Sequence, residues 1–307
     1  MKPLNILLLV FIICVNSYGQ KMVAITIDDV PNVDLYNKED FHHRLLDKID
    51  SMHLPVTIFI NEARIFSTDS FANNLSLFND WVKDPNVTLG NHGFNHAMYS
   101  EIGLDSFKEE VLKGEAITKM LAKKYNKQEK YFRFPYNDLG KDATMHKDAA
   151  DFLQTKNYII TPFTVHSEDW MITELYTYYK DHGMHADAER TGKAFIKKTV
   201  EYFDYIDSLT SAKHGRDVKQ VYLMHDVLLN ADYMDILVDT LQSKGYTFIT
   251  LDEALKDDIY KQKDYFQKQP GISWVYRWVK DDKERQALMD KGPNVHKFEK
   301  EFEKTQR

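Results

Sequence analysis

The amino-acid sequence predicts an α/β fold, a distorted (β/α) barrel of about seven parallel strands followed by a charged helical C-terminal extension. Short apolar, β-branched runs alternate with amphipathic helical segments between residues 20 and 255, which is typical of a mainly parallel sheet covered by helices. Residues 256–307 are rich in charged side chains, as surface helices are. A doubly wound open sheet is the alternative arrangement of the same elements.

The predicted strands are apolar or β-branched runs that end at polar or turn residues. The first, Met22–Ile27, stops at two aspartates and is typical of a buried strand. Six similar runs follow, at residues 55–60, 86–90, 131–134, 158–161, 220–224 and 246–251. Helical spacing of apolar residues predicts helices at 39–52, 106–124, 195–209 and 232–244. Ser106 and Glu109 have capping-box spacing, and Gly245 is a good C-terminal cap for the last of these helices.

The first 19 residues have the features of a secretory signal peptide. Lys2 precedes a continuous apolar run from Ile6 to Val15, and small residues at Ser17 and Gly19 allow cleavage after Gly19. A retained membrane anchor is the alternative, but the run is too short to span a bilayer comfortably. We therefore expect a secreted or periplasmic protein with no stable membrane anchor. Cys14 is the only cysteine, so cleavage leaves a mature chain without disulfides or thiolate ligands.

We expect three parts in the chain: the signal peptide at 1–19, a catalytic domain at 20–255 and the helical extension at 256–307. Residues 171–219 are long for one connection and are interpreted as a helical insert in the catalytic domain. Trp274, Tyr276 and Trp278 interrupt the charged extension, so we expect them to pack back onto the domain. The net charge of -7 gives no electrostatic reason to bind nucleic acid, and the oligomeric state is left open.

Polar residues gather at the ends of the predicted strands. Asp28 and Asp29 follow the first strand and His92 comes shortly after the third. Arg133 lies in the fourth strand and His225 follows the sixth. The carboxyl ends of parallel strands meet at one face of a barrel, where active sites are built. We therefore expect these side chains to share one site.

His92 and His96 have a spacing that suits metal binding. Two histidines four residues apart lie on one face of a helix and can bind one ion. Asp29 is a candidate third ligand, and three protein ligands leave a position for water, as catalytic zinc sites do. The alternative is that the spacing arises by chance, which is plausible for a chain with 12 histidines.

Two adjacent carboxylates at a strand end can divide the chemistry between them. Alternation along the strand points Asp28 and Asp29 in different directions. One can bind a metal while the other accepts a proton from water. The alternative is a pair of turn residues or a helix cap.

Five short motifs in order make the sequence similar to the polysaccharide deacetylases, the NodB-homology group of carbohydrate esterase family 4. The motifs are Thr26-Ile27-Asp28-Asp29, His92 with His96, Arg133-Phe134-Pro135-Tyr136, His166-Ser167-Glu168-Asp169-Trp170 and Leu223-Met224-His225. The motif at 166–170 matches in part and the others match fully. The resemblance covers residues 23–255 and leaves the C-terminal extension out.

The resemblance implies a NodB-type barrel and a metal-dependent deacetylase. Asp29, His92 and His96 would bind the metal, Zn²⁺ before Co²⁺, Ni²⁺ or Mn²⁺. Asp28 would be the general base, kept charged by Arg133. The other implied roles are proton donation by His225, oxyanion stabilisation by the backbone N–H of Tyr136, and lining of the substrate pocket by Pro135, Trp170 and Leu223.

The motif at 166–170 departs from the family pattern, because His166 stands where the family has an acid that orients the catalytic histidine. Either His166 accepts a hydrogen bond from His225, which gives a weaker acid and a lower pH optimum, or Asp169 takes the role from a nearby position. Reduced activity is a third outcome. One hypothesis that follows is that His166→Asp raises activity near neutral pH.

The function predicted by the sequence is hydrolysis of acetyl groups, N-acetyl before O-acetyl, from an extracellular or cell-envelope polysaccharide. One alternative is an amidohydrolase that acts on a small non-sugar amide. Another is a glycan-binding protein with a weakened site, which His166 motivates. The sequence does not name the glycan: peptidoglycan, chitin-type oligomers, xylan and exopolysaccharide all stay open.

Overall fold

The computed structural model describes residues 20–269 and 271–306. The predicted signal peptide at 1–19 lies outside these residues. Within them, no helix is both long enough and apolar enough to cross a membrane.

Eight parallel strands of the described residues form one sheet. They are β1 Lys21–Val30, β2 Val56–Ile60, β3 Val87–Asn91, β4 Glu129–Phe132, β5 Ile159–Ile160, β6 Val165–His166, β7 Lys219–His225 and β8 Tyr246–Phe248. Seven of them are the predicted strands with shifted ends, and β6 is new. A strand of two residues is too short to show the alternation on which the sequence prediction depends.

The strand order is that of a barrel opened along one seam. It runs β5-β4-β3-β2-β1-β7-β6, and β8 pairs with Lys21–Val23 at the start of β1. Joined as a ring, this order follows the chain as in a (β/α) barrel, whereas a doubly wound sheet reverses its order at a switch point. The edge strands β5 and β6 are separated only by residues 161–164, which keeps the two edges near each other. The prediction of a distorted parallel barrel is confirmed.

Helices cover the sheet. They are α1 Val33–Lys38, α2 Arg44–Ser51, α3 Phe71–Lys83, α4 Tyr99–Lys113, α5 Ala116–Lys124, α6 Ala143–Thr155, α7 Asp169–Asp181, α8 His185–His214, α9 Leu228–Ser243, α10 Leu251–Ala254, α11 Trp274–Arg277, α12 Asp282–Lys291 and α13 His296–Thr305. The single helix predicted at 106–124 is in fact α4 and α5. α4 runs from Tyr99 and is interrupted at Gly103, where φ is 73°, so the helical stretch after this kink begins close to the predicted Ser106.

Residues 171–219 contain most of two packed helices, where the sequence predicts one helix. α7 begins just before them, at Asp169, and α8 has 30 residues and extends beyond the predicted 195–209 at both ends. The first turns of α8 are polar, and exposed Lys193 pairs with Glu189 there. Such i,i+4 ion pairs support a helix but leave no apolar stripe for a sequence pattern to detect. The domain boundaries themselves stay a prediction.

The C-terminal extension contributes to the same hydrophobic core as the sheet. Tyr276 and Trp278 are 3% and 5% exposed, and Phe298 of α13 is buried with them. Trp274 is partly buried against this core. The expectation that these aromatic residues pack back onto the domain is confirmed.

Candidate active site

A bulge near the end of β1 separates the two aspartates. Asp28 lies in register with β7, opposite His225, whereas the pairing of β1 with β2 shifts between Ile27 and Val30. Asp29 sits inside that shift with a left-handed φ of 65°. The adjacent carboxylates therefore leave the strand in different directions through a bulge, and not through strand alternation alone.

Asp29, His92 and His96 come together at this edge of the sheet. His96 Nε2 lies 3.3 Å and His92 Nε2 3.8 Å from Asp29 Oδ1, and one ligand atom of each residue lies within 4.8 Å of the others. Asp29 Oδ1 is buried and has no hydrogen-bond partner among the residues that the structure describes. His92 Nδ1 lies 2.8 Å from the Arg133 carbonyl oxygen, which leaves Nε2 free to bind an ion. This donor set fits a divalent ion such as Zn²⁺.

The two histidines do not lie on a helix. His92 follows β3, His96 has a left-handed φ of 57°, and α4 begins only after both. The helical interpretation of their spacing is therefore wrong, and an irregular loop brings the ring centroids to 5.0 Å. Asn61 Nδ2 holds this loop by donating to the carbonyls of His92 and Gly93, at 2.6 and 3.2 Å. Gly114 packs so closely on the loop that a Cβ there would lie 2.7 Å from the Gly93 carbonyl carbon.

Electrostatics keep the cluster in the protonation state that a metal requires. Burial raises the pKa of the Asp29 carboxyl, but Arg64, whose guanidinium lies 3.0 Å away, and the nearby histidines outweigh burial and lower it to about 2. Burial and the neighbouring His92 lower the pKa of His96 to about 4. Burial also lowers the pKa of His92. A charged carboxylate and neutral imidazoles are the forms that bind a cation.

Asp28 is fixed by a buried ion pair. Arg133 Nη1 lies 2.7 Å from Asp28 Oδ1, and the two side chains are 1% and 4% exposed. The same nitrogen donates to Thr26 Oγ1 at 2.8 Å, and the guanidinium lies 4.2 Å from the centre of the Phe59 ring. Asp28 Oδ2 remains 3.6 Å from His92 Nε2. Asp28 is therefore positioned to accept a proton beside the cluster.

His225, on the neighbouring strand β7, is paired with Asp169. Its Nδ1 lies 2.8 Å from Asp169 Oδ1, and its backbone N–H donates to Oδ2 at 2.7 Å. Asn230 Nδ2 also donates to Oδ2. Burial lowers the pKa of His225, but Asp169, with smaller contributions from Asp29 and Asp28, raises it to about 9. A charged imidazolium at neutral pH is able to donate a proton.

The structure pairs His166 with Tyr202 and not with His225. His166 Nε2 lies 3.1 Å from Tyr202 Oη, and its ring packs edge-on against Tyr202 and Phe163. Burial lowers the pKa of His166 to about 4, so the ring is neutral. Of the two interpretations that the sequence leaves open, the geometry favours Asp169 as the partner of His225.

The residues expected to bind substrate lie in β7, in the 3₁₀ turn after β4 and in α7. Tyr136 belongs to a 3₁₀ turn, has a left-handed φ of 56°, and places its half-exposed ring 4.5 Å from the His96 ring. Pro135, just before it, is buried. Trp170 in α7 is 57% exposed and Leu223 in β7 is half-buried. Their role in lining an acetyl pocket stays a prediction.

Three residues that the sequence analysis does not single out touch the predicted ones: Arg64, Asn61 and Asn230. Asn61 directly follows β2, so the rule that found His92 at a strand end would also have found it. Arg64 lies in the 3₁₀ turn Glu62–Phe66 and Asn230 lies in α9. These two have no local sequence signal, because their partners are distant in the chain.

A curled parallel sheet with a His–His–Asp cluster, a buried carboxylate and a carboxylate-paired histidine at one edge has the groups of a metal-assisted hydrolase. Comparison with known proteins also gives a family of hydrolases. Residues 16–156 match the family model described as polysaccharide deacetylase. Residues 16–156 are thus similar to the polysaccharide deacetylases, the NodB-homology group of carbohydrate esterase family 4.

Individual relatives are distant. Over 156 residues the chain is 23% identical to a Bacillus cereus protein named peptidoglycan-N-acetylglucosamine deacetylase, a match that covers 50% of this chain and 48% of the relative. The chain thus matches about half the length of that curated relative. A carbohydrate esterase family 4 pseudoenzyme from Bacillus anthracis is 18% identical with a TM-score of 0.50, over 77% of this chain and 66% of that one. A mutant of it with restored activity is 19% identical with the same TM-score, over 77% and 68%. These two structural matches show the fold alone.

Proposed function

We propose that this protein is a metal-dependent hydrolase that removes acetyl groups, N-acetyl in the first place, from an extracellular or cell-envelope polysaccharide. The observation that carries this proposal is the placement of the Asp29–His92–His96 cluster, Asp28 and His225 at one sheet edge. Acyl hydrolysis needs a metal site, a base and an acid, and these residues supply them. The match of residues 16–156 to the polysaccharide deacetylase family model and the name of the B. cereus relative support an acetylated glycan as the substrate.

Asp29, His92 and His96 would hold the ion. The buried Asp29 Oδ1, which lacks a hydrogen-bond partner among the described residues, supports a cation at this point. One carboxylate and two imidazoles suit Zn²⁺ first, with Co²⁺, Ni²⁺ and Mn²⁺ as alternatives. When bound, the ion would polarise the acyl carbonyl and lower the pKa of water.

Proton transfer is assigned to two side chains on neighbouring strands. Asp28, oriented by Arg133, accepts the proton of the attacking water. His225, kept charged by Asp169, gives a proton to the departing amine or alcohol. The backbone N–H of Tyr136 stabilises the oxyanion, a role that the family resemblance supplies.

The partner of His225 also bears on the choice between an enzyme and a glycan-binding protein. The glycan-binding alternative depends on His166 as a defect in the site. The contact of Asp169 with His225 supplies the carboxylate that His166 lacks, so the enzyme is favoured. A secreted or periplasmic location suits a glycan substrate and follows from the predicted signal peptide at 1–19.

The proposal is tested by acetate release from peptidoglycan, chitin oligomers, acetylated xylan and exopolysaccharide, with and without a chelator. Asp28→Asn is the test variant, and Asp105→Asn, at a 96% exposed side chain, is the matched control. We expect the chelator to stop acetate release and Asp28→Asn to slow it by about 10²- to 10⁴-fold, the usual contribution of a general base. Release that survives both treatments contradicts the proposal, and glycan binding without release identifies a binding protein.

A further inference from the structure

Helix α8 contacts the turn 166–168, which directly precedes Asp169, the partner of His225. Lys198 and Tyr202, one helical turn apart on α8, both face the residues 166–168. Lys198 Nζ donates to the Ser167 carbonyl at 2.9 Å and lies 2.6 Å from Glu168 Oε2. Tyr202 Oη lies 3.1 Å from His166 Nε2. Each of the three turn residues is therefore held by one side chain or the other of α8.

These contacts are buried, so they depend on the conformation of the turn 166–168. Lys198 is 5% and Tyr202 3% exposed. An ammonium group is almost never buried to this extent unless it is paired and hydrogen-bonded, because its desolvation is costly. Among the described residues, Lys198 is hydrogen-bonded to Ser167 and Glu168, and its Nζ lies 5.7 Å from the centre of the Tyr202 ring. Its burial therefore depends on the shape of this turn.

The turn has a shape that needs support. Glu168 has a left-handed φ of 54°, a conformation that disfavours side chains other than glycine, asparagine and aspartate. The chain passes through Glu168 from β6 directly into α7, whose first residue is Asp169. Both carboxylate oxygens of Asp169 contact His225. A loosened turn would therefore shift the carboxylate that orients the proton donor.

We propose that Lys198 and Tyr202 are positioning residues, through which α8 holds the turn 166–168 so that Asp169 orients His225. His166 then serves as the hydrogen-bond partner of Tyr202 and not as the partner of His225. Tyr202 Oη also lies 3.2 Å from Tyr276 Oη, so the C-terminal extension joins the same support. The catalytic consequence rests on the proposed function, whereas the support of the turn does not.

Lys198→Met tests the inference, with Lys197→Met as its matched control. Lys197 is the preceding residue, is 76% exposed and pairs with Glu201 at 2.5 Å. We measure amide hydrogen exchange of residues 165–170, zinc affinity, and kcat and KM for acetate release in the zinc-loaded protein. In Lys198→Met we expect faster exchange in this segment and a kcat lower by about 10- to 100-fold, as for a misplaced catalytic group. KM and zinc affinity should stay within about twofold, because neither α8 residue touches the metal ligands.

Two more variants keep the test decisive if Lys198→Met folds poorly. Lys198→Arg keeps a cation and should recover most of kcat, and Tyr202→Phe removes one hydroxyl and should show the same changes on a smaller scale. The inference is overturned if Lys198→Met or Tyr202→Phe matches Lys197→Met in exchange and in kcat. If the wild type releases no acetate while Lys198→Met still speeds exchange at 165–170, the support of the turn stands and the proposed function fails.

Discussion

The two halves of the candidate site are built on different parts of the fold. The metal half, Asp29, His92 and His96, lies on β1 and the loop after β3, inside the residues 16–156 that match the family model. The acid half, Asp169 and His225, lies on α7 and β7, outside that match. The backbone has a left-handed, positive φ at Asp29 and His96 in the metal half and at Glu168 beside the acid half.

The difference lies in what holds the strained backbone. In the metal half, the loop is held by residues next to the strands themselves, such as Asn61 after β2 and the Arg133 carbonyl after β4. In the acid half, the support comes from helices, with Lys198 on α8 and Asn230 on α9. The first kind of support accompanies the strand-end motifs, whereas the second depends on parts of the chain that the motifs do not include.

The largest effect should come from breaking the metal half. His96→Ala removes one of the three proposed ligands. Loss of an outer-shell partner of a ligand costs about 10- to 100-fold in metal affinity, so the zinc affinity of this variant, measured by calorimetry, should fall by more than that. Acetate release should be lost with it. His185→Ala, at an exposed residue of α8, is the control and should bind zinc like the wild type. Equal affinities in the two variants would remove His96 from the ligand set.

Breaking the acid half should leave the metal in place. Asp169→Asn should lower kcat by about 10²- to 10⁴-fold while zinc affinity stays the same. The charge of Asp169 helps to hold the pKa of His225 at about 9, and a proton donor is active below its pKa. Without that charge the pKa falls, so the alkaline limb of the pH–rate profile should move to lower pH.

The matched control is Asp181→Asn, at the exposed last residue of the same helix, α7. Its pH–rate profile should coincide with that of the wild type. An alkaline limb that stays in place in Asp169→Asn would show that another group protonates the leaving group.

The metal half and the sheet were the more predictable parts of the molecule. Seven strands follow from short apolar runs, and Asp28, Asp29, His92 and His225 follow from the polar residues at the strand ends. This works because a parallel barrel brings the carboxyl ends of its strands to one face, so position along the chain determines position in space.

The geometry of the acid half is harder to predict from sequence patterns. Whether His166 or Asp169 meets His225 depends on the backbone between them, and Glu168 turns that backbone through a left-handed conformation. A sequence pattern does not reveal a single positive φ at a glutamate. The bulge at Asp29 and the loop at His96 escaped prediction for the same reason.

A buried acid beneath the metal half should make folding stability depend on pH. Glu129 Oε2 accepts a hydrogen bond from Tyr158 Oη at 2.7 Å, and Asn91 Nδ2 donates to the same hydroxyl at 3.2 Å. Asn91 Oδ1 in turn accepts a hydrogen bond from the N–H of Gly93, in the loop between His92 and His96. Burial raises the pKa of Glu129 to about 8, against the opposing effect of the Tyr158 hydrogen bond.

The direction of this pH dependence follows from the raised pKa of Glu129. The folded state keeps a proton on Glu129 that the unfolded state loses above its ordinary pKa of 4.5, so stability should fall as pH rises from about 4.5 to about 8. The slope is at most about 1.4 kcal/mol per pH unit. Glu129→Gln should flatten this part of the curve in urea unfolding, while Glu109→Gln at an exposed residue should not. Parallel curves for Glu129→Gln and the wild type would assign the dependence to other groups.

The smallest effect on catalysis is expected at His166, where the sequence alone suggested a gain. His166→Asp places a carboxylate beside Tyr202, while His225 Nδ1 is already bonded to Asp169. The alkaline limb of the pH–rate profile should therefore stay in place. The free energy of unfolding should fall by about 1 to 2 kcal/mol, because a buried hydrogen bond is altered and a new charge is buried. His182→Asp, at an exposed residue, is the control. A faster reaction with a shifted limb would mean that position 166, and not Asp169, sets the acidity of His225.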